Sequence, residues 1–115
     1  EIKKSIIQKL TEAKIPFVDV GIGISAVDGL LMGSARVTTV TAEKNDHVEK
    51  RISFSDKGND DYDKNVQIAE INALNAALAV IKWKKLFGFY HDLEKEHHTV
   101  YDINVNKLMN NETVS

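Results

Sequence analysis

FVDVGIGISAVDGLLMGSARVTTVTA, residues 17–42, is the stretch that decides the fold, because it holds the two strongest strand patterns in the chain. Residues 17–24 are rich in β-branched and aromatic side chains, which is typical of a strand. In a strand over residues 34–42, the side chains at positions 35, 37, 39 and 41 would point to one face of the sheet and those at positions 36, 38 and 40 to the other. Residues 25–33 lie between these strands, and their two glycines predict a loop.

The first strand contains Gly21-x-Gly23-x-x-Ala26, and Glu43 follows further along the chain. A strand, a G-x-G-x-x-G/A turn and an acidic residue about 20 positions later are typical of dinucleotide binding. Such a turn needs a helix directly after the glycines, because the pyrophosphate binds the amides of its first turn. Residues 24–33 hold two further glycines and no amphipathic pattern. We therefore interpret Gly21 and Gly23 as positions that permit a bend or a close backbone approach.

Two helices are predicted on either side of these strands. Residues 1–14 carry isoleucine and leucine at helical spacing, which predicts an amphipathic helix that ends before Pro16. Residues 66–87 are apolar round most of their surface, which predicts a long helix buried on more than one side. Asn65 is expected to cap the start of this helix, and Gly88 is expected to follow its end.

Shorter elements complete the predicted fold. Residues 50–54 and 100–105 are expected to be short strands, residues 55–65 a polar loop, and residues 110–115 a frayed tail. The predicted fold class is α/β, with a mixed sheet of about four strands packed against a long C-terminal helix and an N-terminal helix. We expect residues 1–115 to form a single domain.

Composition fits an ordinary folded protein and excludes several function classes. The 115 residues are 43% hydrophobic and 28% charged, with a net charge of −2 and no basic cluster that indicates nucleic-acid binding. The absence of cysteine excludes disulfides, thiolate zinc sites and thiol catalysis. The longest apolar-rich run, residues 73–81, is too short to span a bilayer. We therefore expect a cytoplasmic chain with no membrane or nucleic-acid partner.

Four polar residues are candidates for a cleft. Asn72 and Asn75 are neighbours on the predicted long helix. A buried asparagine needs hydrogen-bond partners, which nearby loops, an oligomer interface or a cleft would supply. Asp19 and Arg36 lie in the predicted strands, and a buried aspartate there needs a partner such as Arg36. We expect this pair to be structural before it is catalytic.

Four aromatic residues lie around the end of the predicted long helix: Trp83, Phe87, Phe89 and Tyr90. Aromatic side chains at such a position either form a surface for a protein partner or cover the core of their own domain. Both interpretations remain open from the sequence, and the first makes these residues interface candidates.

No metal site is predicted. His91, Glu94 and His98 would share one face if residues 91–98 were helical, and imidazole and carboxylate ligands bind zinc and similar ions. The spacing differs from the H-E-x-x-H of zinc helices, and we interpret the stretch as a solvated charged segment. His47 is expected to lie alone in a loop. The acidic residues near Gly58 do not follow the ligand spacing of a calcium loop.

Four stretches together resemble the ThiF/MoeB/HesA family of adenylyltransferases, over most of residues 1–109. IPFVDVG and GSARVTTV are similar to two strands of the second half of that family. AEINALNAALAVIKWKKLFGF is similar to its long late helix. VYDINVNKLM is similar to its closing strand, with Asp102 at the acidic position.

The resemblance implies the C-terminal half of a protein that uses ATP and magnesium to activate a small ubiquitin-like or sulfur-carrier protein. The family's ATP loop, arginine finger and magnesium ligand would lie before Glu1, and its zinc and reactive cysteines are missing. No cofactor and no catalytic residue is therefore assigned to this chain. It would supply scaffold and a homo-oligomer surface.

The chain begins at Glu1 inside a helical pattern and without an initiator methionine. This suggests a piece excised from a longer protein, and a processed complete protein is the other interpretation.

Two alternatives to the adenylyltransferase interpretation remain open. One is a stand-alone interaction module without enzymatic activity. The other is a metal-binding domain centred on His91 and His98.

Overall fold

A computed structural model of the chain describes residues 2–52 and 68–114. Its elements, in chain order, are α1 (Ile2–Glu12), β1 (Phe17–Val27), β2 (Leu30–Val40), α2 (Val48–Arg51), α3 (Ala69–Leu86), β3 (Glu96–Asp102) and β4 (Lys107–Thr113). The strands form one sheet in the order β1-β2-β3-β4. The predicted α/β class with a four-stranded sheet and helices is confirmed. Every pairing in the described sheet is antiparallel, so it is a meander and not mixed, and β3 and β4 follow the long helix.

β1 and β2 form one continuous hairpin, so the expected loop over residues 25–33 is wrong. The strands pair along their whole length, from Phe17 with Val40 to Val27 with Leu30. Asp28 and Gly29 alone form the turn, with φ angles of 54° and 81°. Two successive residues with positive φ are characteristic of a type I′ turn, whose twist matches that of the flanking strands and for which Asp-Gly is a preferred sequence.

The two long helices lie on opposite faces of the sheet. On one face, Gly33 lets α3 approach closely, because a Cβ there would lie 3.4 Å from Ile71 Cδ1. On the other face, Ile7 of α1 packs with Val40 and Ile52, and Phe17 lies against this cluster. We call these the α3 face and the α1 face. Successive residues of each strand alternate between them.

The long helix ends as predicted and starts later than predicted. Gly88 has a φ of 81°, its N–H donates to Lys85 O, and Phe89 N–H donates to Lys84 O. This pair of bonds is the Schellman motif expected of a C′ glycine. The helix starts after Ile68, which provides no side-chain cap. The predicted capping residue Asn65, residues 66–67 and the polar loop over 55–65 lie outside the described residues.

The C-terminal region contains more strand than expected. Residues 96–98 belong to β3 and are buried, so the predicted solvated segment is wrong over these positions. Residues 110–113 belong to β4, where Asn110 pairs with Thr99 and Asn111 with His98, so they are not frayed. The predicted strand over residues 100–105 is confirmed for residues 100–102 and wrong for residues 103–105, which form the turn before β4. Polar side chains at residues 96–98 and 110–113 hid the other parts of these strands from a prediction based on hydropathy.

The predicted strand over residues 50–54 is also corrected. Lys50 and Arg51 are the last residues of the short helix α2, and residues 53–54 lie outside the described residues. Within the described residues, none of the helices combines the length and the apolar character that crossing a membrane requires.

Candidate functional site

The structure pairs Asp19 with Arg36 on the α1 face. Arg36 Nη2 lies 2.8 Å from Asp19 Oδ2, and Lys3 Nζ lies 3.2 Å from Asp19 Oδ1. Both carboxylate oxygens therefore have cationic partners. The carboxylate thus links β1 to β2 and to α1, so the geometry supports the structural role expected from the sequence.

The pair continues into a polar chain that crosses three strands. Arg36 Nη1 donates to Thr38 Oγ1 at 2.6 Å, and Thr38 Oγ1 lies 3.0 Å from His98 Nδ1. A guanidinium can only donate, so the Thr38 oxygen accepts from Arg36. A hydroxyl has one proton and two lone pairs, so Thr38 either donates to His98 Nδ1 or accepts from it, according to the tautomer of the ring.

Gly21 makes room for this polar chain. It pairs with Arg36 across the hairpin, and a Cβ at Gly21 would lie 2.6 Å from Arg36 Nη2. A Cβ at Gly23 would meet Ser34 Oγ at an ordinary 3.5 Å. The close approach expected of these glycines is thus a property of Gly21, and the neighbour is an arginine side chain rather than a nucleotide.

The other two cleft candidates do not join Asp19 and Arg36. Asn75 is buried on α3, and its Nδ2 donates to the carbonyl of Gly21 at 3.3 Å from the opposite side of the sheet. Its Oδ1 has no hydrogen-bond partner among the described residues. Asn72 is exposed, and its backbone N–H bonds to Ile68 O. The four residues therefore do not line one common cleft.

Three histidines are buried where β2, β3 and the segment before α2 meet. His47 was expected to lie alone, yet its Nε2 donates to Thr39 O at 2.8 Å. Its ring meets His97 edge-on, with ring centroids 6.0 Å apart and an interplanar angle of 88°. His97 Nδ1 donates to Lys95 O, and its Nε2 accepts from the Thr41 hydroxyl, each at 3.0 Å.

Burial sets the protonation of two of these rings. Burial, together with the positive charges of Arg51 and Arg36, lowers the pKa of His98 to about 4. Burial also lowers the pKa of His97, an effect that the bond to Lys95 partly opposes. Both rings are therefore neutral at pH 7, which agrees with the acceptor role of Nε2 in His97.

A buried ion cluster links the end of α3 to the start of β3. Lys82 Nζ lies 2.7 Å from Asp92 Oδ2 and 3.4 Å from Glu96 Oε2, and the side chains of Lys82 and Glu96 are only 5% and 7% exposed. Lys85 adds a second cation 3.6 Å from Glu96. Sequence reasoning missed this cluster, because its members lie in a helix end and a charged stretch that looked solvated.

The aromatic candidates lie at the surface, so in the described part of the chain they do not cover a core. Trp83 and Phe87 are 44% and 63% exposed, and Phe89 and Tyr90 are 67% and 45% exposed. Their rings form two edge-to-face pairs, with centroid distances of 4.7 Å and 4.8 Å. Lys84 Nζ lies 4.6 Å from the Phe89 ring centroid. We call these four residues the aromatic surface.

An apolar cavity of about 340 Å³ opens between the hairpin and the start of α3. Ile24, Leu31, Ile71, Leu74 and Tyr101 are prominent in its lining. Its size is within the range of small-molecule sites, which also carry a few convergent polar groups. Asp19 and Arg36 lie on the opposite face of the sheet, so the cavity and the polar chain form no joint site.

The structure does not place His91 and His98, the two histidines of the metal-binding interpretation, on one common face. His91 lies in the connection after α3, whereas His98 lies in β3 and bonds to Thr38. Over residues 2–52 and 68–114, no group of three or more metal-ligating side chains is arranged to hold an ion. The glycine motif of β1 likewise leads into a hairpin turn at Asp28, so the helix required by a dinucleotide turn does not follow it.

Comparisons with protein-family models, with curated proteins and with solved structures find no match to this chain.

Proposed function

We propose that this chain is the C-terminal part of a ThiF-like adenylyltransferase, in which it acts as a scaffold and an oligomerisation unit. The order of its elements carries the proposal. Two strands, β1 and β2, are followed by the long helix α3 and then by β3, which ends at Asp102. The sequence segments that resemble the ThiF/MoeB/HesA family occur in this order.

The proposed division of labour follows from the polar residues of the chain. Asp19 is held by two cations, and Arg36 is engaged by Asp19 and Thr38. These contacts support a positioning role within the sheet. ATP, magnesium and the catalytic residues would belong to the preceding half of the parent protein, which would adenylate the C-terminus of a small ubiquitin-like or sulfur-carrier protein in the cytoplasm.

ATP–pyrophosphate exchange tests this division. A parent protein that contains this chain should exchange label between pyrophosphate and ATP in the presence of magnesium and its carrier protein. The isolated chain should show no exchange above a buffer control. Exchange by the isolated chain would contradict the scaffold role, and a folded parent without exchange on any carrier would contradict the adenylyltransferase proposal.

A second candidate function is a stand-alone interaction module, which the exposure of the aromatic surface favours. Large aromatic side chains are enriched among the residues that dominate protein–protein binding energies. Contiguous exposed apolar surface on a folded protein also marks interaction sites. The two candidates differ in the gene: a glycine-rich ATP loop encoded upstream in the same reading frame supports the first, and a start codon just before Glu1 supports the second.

A further inference from the structure

The strand β1 lies at one end of the sheet, and its outer side carries a row of unpaired backbone groups. A two-residue turn makes Val27 and Leu30 a hydrogen-bonded pair, so every second residue back from Val27 bonds to β2. The residues between these turn their N–H and C=O groups away from β2, and they are Val18, Val20, Ile22, Ile24 and Ala26. Over residues 2–52 and 68–114, no strand pairs with this side of β1. The row is half of a hydrogen-bond ladder, and the group that complements it is another strand.

The two edges of the described sheet differ in how they are protected. Folded proteins blunt a free edge by keeping the strand short, by placing charges on it or by interrupting its geometry. β4 has seven residues, begins at Lys107 and contains Glu112 with a φ of 54°. β1 has eleven residues, all its outward residues are apolar, and its one charged side chain, Asp19, is paired with Arg36 and Lys3. β1 therefore has the character of an interior strand, and β4 has that of an edge.

The helix α1 leads directly into β1. Residues 13–16 connect the two elements. Ile7 of α1 packs with Val40, and Lys3 Nζ lies 3.2 Å from Asp19 Oδ1, so the helix folds back over the first part of β1. A helix that covers one face of a sheet and then enters a strand is the second half of a strand–helix–strand unit. In such a unit the two strands are parallel, and they are usually neighbours.

One apolar side of α1 is not covered by the described part of the chain. Ile2 and Ile6 lie four positions apart on the helix surface and are 79% and 52% exposed, whereas Ile7 is buried against the sheet. β1 is the outermost strand at its end of the described sheet. A strand outside β1 would widen the surface beneath α1 and give the two isoleucines apolar neighbours.

We propose that the outer edge of β1 is the junction with the preceding half of the parent protein, where a strand that leads into α1 pairs with β1 in parallel. This inference rests on the proposed function, because it needs polypeptide that continues before residue 1. It adds the place and the geometry of the contact between the two halves. That strand, α1 and β1 form one right-handed crossover unit, and the antiparallel sheet continues through β1 into the preceding half.

Amide hydrogen exchange, compared by NMR between the isolated chain and the parent protein, tests the junction. In the isolated chain, the N–H groups of Gly21 and Gly23 face β2 and should be protected, whereas those of Val20 and Ile22 should exchange freely. In the parent, exchange at Val20 and Ile22 should slow by at least roughly a hundredfold, while Gly21 and Gly23 stay slow. Equally fast exchange at Val20 and Ile22 in both proteins would overturn the junction. Protection in the isolated chain that grows with its concentration would place a second copy at this edge and would also overturn it.

A proline substitution gives an independent measurement. Ile22→Pro removes an N–H that is not bonded to β2, and proline is tolerated on an edge strand where the N–H faces outward. Ile22→Val keeps the N–H and is the matched control. We expect Ile22→Pro to leave the isolated chain folded and to lower the melting temperature of the parent by several degrees relative to Ile22→Val. A loss in the parent no larger than the loss in the isolated chain would contradict the junction.

The same parent protein separates this junction from the proposed activity. A parent that exchanges label between pyrophosphate and ATP, but in which Val20 and Ile22 exchange as freely as in the isolated chain, overturns the junction alone. Protection of Val20 and Ile22 in a parent without that activity supports the junction and contradicts the adenylyltransferase proposal.

Discussion

Arg36 connects three strands of the sheet through one side chain and the hydroxyl beside it. Its guanidinium joins Asp19 of β1 to Thr38 of β2, and Thr38 carries the contact to His98 of β3. Gly21 is the position that gives the guanidinium its space. Partly buried ion pairs stabilise a fold only when their polar groups are well bonded, and here both terminal nitrogens of Arg36 have a partner.

Replacing Gly21 with alanine should therefore destabilise the chain, whereas Gly23→Ala should not. The new methyl at position 21 would lie 2.6 Å from Arg36 Nη2 and displace it from Asp19. We expect a loss of about 1–3 kcal/mol in the free energy of unfolding, measured by urea denaturation. Gly23→Ala should change it by about 0.5 kcal/mol or less, and equal losses in the two variants would refute this account of Gly21.

The pairing of Asp19 with Arg36 was predictable at this scale, because a charge in a strand demands a partner. The histidine contacts were not. His47, His97 and His98 are polar residues in polar stretches, and nothing in local hydropathy separates a buried imidazole from a solvated one. Their burial depends on hydrogen bonds to residues in or just after β2 that lie 8, 56 and 60 positions away in the sequence.

At the scale of elements, α2 is attached to the sheet by charge. Arg51 Nε lies 2.8 Å from Glu112 Oε2 in β4, and Lys44 Nζ lies 3.2 Å from Glu112 Oε1. The hydrogen bond from Arg51 is the main reason why the pKa of Glu112 is lowered to about 2. A helix of four residues has little stability of its own, so these contacts and the packing of Ile52 hold it in place.

Substituting Glu112 with glutamine should remove this attachment with a defined pH dependence. The folded pKa of about 2 lies below the ordinary 4.5, so the carboxylate stabilises fully above pH 4.5 and the effect is lost as the pH falls towards 2. We expect Glu112→Gln to lower the melting temperature by a few degrees at pH 6. The difference from wild type should shrink between pH 4.5 and pH 2.5, and a constant difference would contradict the ion-pair explanation.

Element prediction succeeded where one physical signal dominated. The strand predicted from the alternating side chains of residues 34–40 was confirmed, and so was the helix end predicted at Gly88. The hairpin turn was missed because Gly29 and Gly33 suggested a loop, although Asp28-Gly29 between apolar residues is a strong type I′ signal. β4 was missed because Asn110 and Asn111 have low strand propensity, which pairing with β3 overrides.

At the scale of the whole molecule, the aromatic surface is the feature that the described fold leaves unexplained. Gly88 already provides the C-terminal cap of α3, so ending the helix does not explain why the side chains of Phe87 and Phe89 are exposed. A stable interface of standard size buries roughly 800 Å² on each partner, and central aromatic residues usually supply much of its binding energy. An oligomer built on this surface accords with the proposed scaffold role.

Sedimentation velocity of the isolated chain tests that claim most directly. We expect the wild type to sediment as a dimer or larger species in the micromolar range, and Phe87→Ser/Phe89→Ser to sediment as a 12.9 kDa monomer with unchanged circular dichroism. Ile2→Ser, at an exposed apolar position on α1, should behave as wild type. A wild type that is monomeric throughout this range, or aromatic variants that assemble as it does, would contradict the proposed oligomerisation surface.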